Sequence, residues 1–272
     1  MNASGAFHAV QTTSRLRRCS FFVWSAILAL ALDATFVGVT MLTIAQWLAG
    51  QNAVTTPVGD LSFFALGGII VGVGLTTQVW APTRHIAGIQ QAIVGLFALV
   101  LAGLLGARIE PLVGGVVFLL AVLIVAMLHP SRGAIFGLGR RVSAPLLVAS
   151  LLAVVPAIAY AASMLSLARR AGASCFLGRC ARGDRFAEMA ACALAILLVG
   201  FLAAWDTPGR RIPALSAGMA AVLVGSASLA LPSAPGSLGL AWGGLAIAWG
   251  IFVVAISEME VRQPSPLPAG GA

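Results

Sequence analysis

The chain has 272 residues, 60% of them hydrophobic and 9% charged, with a formal net charge of +8 and a mean hydropathy of +1.02. Soluble domains carry about 25% charged and 45–50% apolar residues, so this composition specifies a polytopic membrane protein and excludes a soluble fold. All 16 basic residues are Arg. With no Lys, a Walker A phosphate loop, Schiff-base chemistry and a lysine general base are excluded as well.

In chain order, a polar arm over residues 1–20 holds Arg15, Arg17 and Arg18. An apolar run then predicts a first membrane helix over Phe21–Leu48. Ala29-Leu30-Ala31 resembles a cleavage site, but the run continues far past it, too long for a signal peptide, so the helix is read as uncleaved. Three more spans follow, over Leu61–Trp80, Ile86–Gly106 and Leu112–Leu128, completing a first membrane unit over residues 21–129. A linker over residues 130–141 leads to a second unit over 142–257. Its spans are Val142–Leu167, Ala187–Trp205, Ile212–Leu231 and Leu238–Ile256. Residues 258–272, rich in Pro toward the end, read as a disordered tail. Segments of this length satisfy their backbones in lipid only as α-helices; barrel strands would be about ten residues long and alternating. The expected fold is therefore all-α, with eight transmembrane helices.

Arg placement sets the orientation. With the N-terminus inside, ten Arg fall on inner segments and six on outer ones, and five of those six belong to one loop: Arg169, Arg170, Arg179, Arg182 and Arg185. Both termini are expected in the cytoplasm. The five Arg offer a contact for an anionic partner or for lipid phosphates. The positive charge is spread over many loops on both faces, so nucleic-acid binding is not expected.

The two units look alike. Gly59-Asp60 precedes the second span and Gly183-Asp184 the sixth. Trp80 and Trp205 end those spans, and each is followed by a Pro- and Arg-bearing turn. Gly114-Gly115 and Gly243-Gly244 open the fourth and eighth. The offsets of 124–129 residues and the even number of helices per copy predict a parallel repeat about an axis along the membrane normal. Small-residue faces for helix contact are expected at Gly68 with Gly72, at Gly239 with Gly243, and at Gly244 with Ala248.

Few residues offer chemistry. Asp33 lies about twelve residues into the first span, roughly 18 Å along the helix and near the bilayer centre. It reads either as a substrate or proton site or as a hydrogen-bonding group between helices. His85, Gln90, Gln91 and His129 gather at the inner face as a polar cluster, without the spacing of a metal or haem site. No metal, cofactor or catalytic group is assigned. Cys175 and Cys180 share the outer loop and are expected to form a disulfide in an oxidising compartment. Arg84-His85-Ile86-Ala87-Gly88-Ile89-Gln90-Gln91 and Leu128-His129-Pro130 resemble a group of uncharacterised multi-pass membrane proteins of Arg-rich, high-GC bacteria. That resemblance implies a bacterial inner-membrane location and supplies no activity.

The functional expectation is a non-catalytic membrane component, in contact with lipid and with other membrane proteins. A small-solute or proton-coupled transporter using Asp33 and a membrane enzyme built on His85, Gln91 and His129 are the alternatives.

Overall fold

The computed structural model describes residues 19–32, 34, 35, 37, 38, 41, 45, 57–129, 131–137, 139, 141–171 and 181–262, without the side chains of residues 181, 182, 261 and 262. The described chain is helical apart from turns and one isolated bridge between Val142 and Trp205. Its long helices are α1 (Cys19–Leu32), α2 (Pro57–Trp80), α3 (Ile86–Gly106) and α4 (Ile109–Leu128), then α5 (Ala144–Arg170), α6 (Ala181–Ala204), α7 (Arg211–Ala230) and α8 (Gly239–Arg262). Seven of them, α2 to α8, are long and apolar enough to cross a membrane. The chain is a membrane-spanning helical protein.

Local chemistry explains where the helices begin and end. Ser143 caps α5 by accepting from the Leu146 N–H, with Pro145 in the first turn, where a missing N–H costs nothing. Ala107 adopts the left-handed conformation (φ 55°) and ends α3, so a two-residue turn, Ala107–Arg108, suffices to start α4. Several helices reach beyond the apolar runs. α2 starts at Pro57 and α6 at Ala181 because Asp60, Asp184, Arg185 and Glu188 are helical and turned inward. α8 extends to Arg262, six residues past Ile256, because Glu258 and Glu260 pair with Arg211 and Arg210 on α7. The middle of α2, Ala65–Gly72, is wound as a π-helix.

Four helices form the interior. In an 18-residue stretch of each, 67% of α2, 61% of α3, 72% of α6 and 61% of α7 is buried, against 28% of α4 and 22% each of α5 and α8. α3 packs on α6, α2 on α7, and α2 on α6, while α4, α5 and α8 lie outside on α3, α6 and α7 respectively. Ala29 and Leu32 of α1 pack against Val71, Leu75, Leu96 and Val122.

Small residues set the closest approaches. A Cβ at Gly218 would lie 2.7 Å from the Gly250 carbonyl oxygen, and one at Gly225 would lie 2.6 Å from that of Gly243. The two contacts are seven residues apart on each helix, so the antiparallel α7–α8 pair meets along one seam. Gly74 and Gly88 make a similar contact between α2 and α3. Of the expected small-residue faces, Gly243 lies in such a contact. Gly68 faces Phe64 of its own helix, and Gly244 has no atom within 4 Å of a Cβ position.

Candidate functional site

The most unusual chemistry sits where the starts of α2 and α6 meet the α3–α4 turn. Asp60 is in the first turn of α2 and is 2% exposed. Arg185 of α6 reaches it, with Nε 3.0 Å from Asp60 Oδ1, and turns Nη1 to Glu188 Oε2 at 2.6 Å. The guanidinium carbon also lies 4.8 Å from the centre of the Phe63 ring, so the cation is held by two carboxylates and an aromatic face. Beside this group, Arg108 is 2% exposed and donates through Nη2 to the Ala168 carbonyl at the end of α5. Its guanidinium lies against the backbone of Gly183, in the space a Cβ would fill. Asp184, the next residue, is buried, and neither of its carboxylate oxygens has a hydrogen-bond partner among the described residues. The Nε and Nη1 of Arg108 are likewise without one.

The opposite end of the bundle carries, beside the Arg210–Glu260 and Arg211–Glu258 pairs between α7 and α8, a set of uncharged polar side chains. Gln78 donates to the His85 carbonyl at 2.6 Å, fixing the turn between α2 and α3. Gln90 donates to the carbonyls of Ile135 and Gly137, at 2.7 and 2.9 Å, and so anchors the segment after α4. Gln91 faces another way. It donates to the Ile70 carbonyl in the π-helical stretch at 2.5 Å and to Ser216 Oγ of α7 at 2.9 Å. His129 accepts from the Ser131 N–H at Nδ1 and faces the Pro82 carbonyl through Nε2 at 3.3 Å, so the neutral ring donates there. The Phe21 ring meets it edge-on at 4.9 Å. Burial pushes the His129 imidazole below its usual range, and the Pro82 carbonyl opposes that only in part.

The expected inner cluster is therefore distributed. His85 and His129 border the same turn, Gln90 holds a loop, and Gln91 points into the α2–α7 contact. Among the described residues, no three His, Cys, Asp or Glu side chains are placed to hold a metal ion. Asp33, Cys175, Cys180 and Arg179 lie outside the described residues, as does the side chain of Arg182. Arg169 and Arg170 are exposed at the end of α5, where Arg169 Nε donates to the Leu105 carbonyl at 2.6 Å. Arg185 is not on that surface; it is turned into the α2–α6 joint.

Sequence reasoning used Gly59-Asp60 and Gly183-Asp184 as repeat markers and overlooked them as parts of a site. A signal was present. Asp184 and Glu188 are four apart and share a helix face, with Arg185 between them in sequence. Comparison with family models, with curated proteins and with solved structures found no match.

Proposed function

We propose that the chain is a non-catalytic component of a bacterial cell membrane, spanning it eight times as two parallel four-helix units with both termini in the cytoplasm. The observation that carries this reading is the use made of the polar side chains inside the central helices. Gln78, Gln90 and Gln91 bind backbone carbonyls, and Arg185 binds two carboxylates across the α2–α6 joint. These groups hold helices together. An inner-face enzyme is less well supported, because Gln91 points away from His85 and His129.

Support for the repeat comes from residues at the expected offset meeting one another. Gln91 and Ser216, 125 apart, are in contact at 2.9 Å. The turn before α3 touches the turn before α7: Ala87 N–H donates to the Pro208 carbonyl at 3.1 Å, and Gly209, at φ +85°, lies against His85. Asp60 and Asp184, 124 apart, flank the same Arg185. A two-fold axis along the membrane normal would produce contacts of this kind.

One observation favours transport as a second reading. The π-helical stretch of α2 and the Gln91–Ser216 contact put hydrogen-bonding groups where α2, α3 and α7 meet, and π-turns often mark functional positions. Proteoliposomes decide between the two. A non-catalytic component leaves an imposed pH gradient as stable as in protein-free vesicles. A gradient that collapses with the wild-type protein and survives with Asp33→Asn overturns the component reading in favour of proton coupling. The orientation is tested by a Cys introduced at Gly137. It should resist a membrane-impermeant thiol reagent in intact cells and react once the cells are opened.

A further inference from the structure

Among the described side chains, the buried charges where α2, α6 and the α3–α4 turn meet do not balance. Three carboxylates, Asp60, Asp184 and Glu188, are each less than a tenth exposed, and two guanidinium groups, Arg108 and Arg185, face them. We propose that the Asp184–Glu188 pair is a proton-binding site, holding one exchangeable proton between the two carboxylates.

The geometry carries the argument. Asp184 and Glu188 are one helical turn apart on the same face of α6, so their side chains are neighbours. Arg185 is directed to Asp60 at 3.0 Å and to Glu188 at 2.6 Å. No hydrogen bond from a described residue reaches Asp184, although the buried Arg108 guanidinium lies beside it with Nε and Nη1 unused. Two like charges held close in a medium of low dielectric cannot both persist, and an unpaired buried carboxylate is neutralised by a proton. The other charged groups described at this end do not alter the count; Arg179 and the side chain of Arg182 lie outside the described residues. Glu110 at the start of α4 is exposed and adds negative charge. Arg169 and Arg170 of α5 are exposed, and Arg169 is directed to the Leu105 carbonyl. The site needs neither Asp33 nor the transport reading, so it stands or falls separately from the proposed function.

Infrared difference spectroscopy of the purified full-length protein near neutral pH tests the proposal. The wild-type protein should show the carbonyl stretch of a protonated carboxyl group, shifted in D2O. Asp184→Asn should lose that band, because the remaining Glu188 is neutralised by Arg185. Glu188→Gln should lose it too, since Asp184 then has both guanidinium groups at hand. A wild-type spectrum without the band overturns the proposal, whatever the variants do. So does a band that survives in both variants, which would place the proton elsewhere. Should either variant fail to fold, the wild-type spectrum and its loss of the band on raising the pH remain decisive.

Discussion

Replacing Arg185 by Met tests whether charge holds the α2–α6 joint. Met keeps much of the aliphatic stem and removes the guanidinium together with its contact to the Phe63 ring. Arg185, Asp60 and Glu188 have side chains 15%, 2% and 11% exposed, at separations of 3.0 and 2.6 Å, so solvent screens these pairs little. Breaking a buried pair by deleting one partner costs about 3–5 kcal/mol, most of it the penalty of leaving the other charge uncompensated. The abandoned carboxylates can recover part of that by binding protons, so about 3 kcal/mol is the expected loss. Arg211→Met is the matched control. Arg211 also meets a carboxylate, Glu258, at 2.5 Å, but its side chain is 53% exposed, and such a pair contributes about 0–1 kcal/mol. Unfolding by SDS in mixed micelles, followed by tryptophan fluorescence, measures both. Adding Asp60→Asn to Arg185→Met should recover part of the loss. An Arg185→Met protein no less stable than Arg211→Met would refute the reasoning.

Two further outcomes follow from the packing and from His129. Gly250→Ala places a Cβ 2.5 Å from the Gly218 carbonyl oxygen and 2.9 Å from Val222 Cγ2, forcing α7 and α8 apart at about 1–3 kcal/mol in the same unfolding assay. Gly244→Ala, with open space around its Cβ, should be neutral or slightly stabilising. Burial holds the His129 imidazole below the ordinary histidine range, so the folded protein binds the proton less readily than the unfolded chain does. Its neutral-ring contribution is complete above the unfolded value and is lost as pH falls through the lower folded one. Thermal unfolding between about pH 8 and pH 5 should therefore show falling stability on acidification, and His129→Gln should flatten that slope.

The membrane class and the positions of seven of the eight expected spans were readable because hydrophobic length is a local property. α3 matches its apolar run, Ile86–Gly106, at both ends. The starts of α2 and α6 were not readable, because Asp60 and Arg185 look like loop residues until their pairing across the two helices is known. The same holds for α8, whose last turns depend on Arg210 and Arg211. Gln90 and Gln91 were expected side by side in one inner-face cluster, but adjacent positions on a helix diverge by about 100°, and only the fold separates their roles. The π-helical stretch of α2 left no mark in composition. The glycine seam of α7 and α8 was half visible, since Gly243 was identified and its partner Gly225 was not.

The α2–α6 ion pair joins residues 60 and 185, and that separation has a consequence for biosynthesis. A nascent chain grows at about 5–20 residues per second, so Arg185 is made about 6 to 25 s after Asp60. Throughout that interval the start of α2 lacks the Arg185 guanidinium that pairs with Asp60 in the finished protein, and α3 lacks the surface of α6 that covers it. The first half of the chain must therefore wait in the membrane as an incomplete intermediate, its acidic helix end kept at the water boundary. An insertion factor or a membrane protease acting on this chain would meet that half-assembled bundle during the wait, before the second half arrives to complete it.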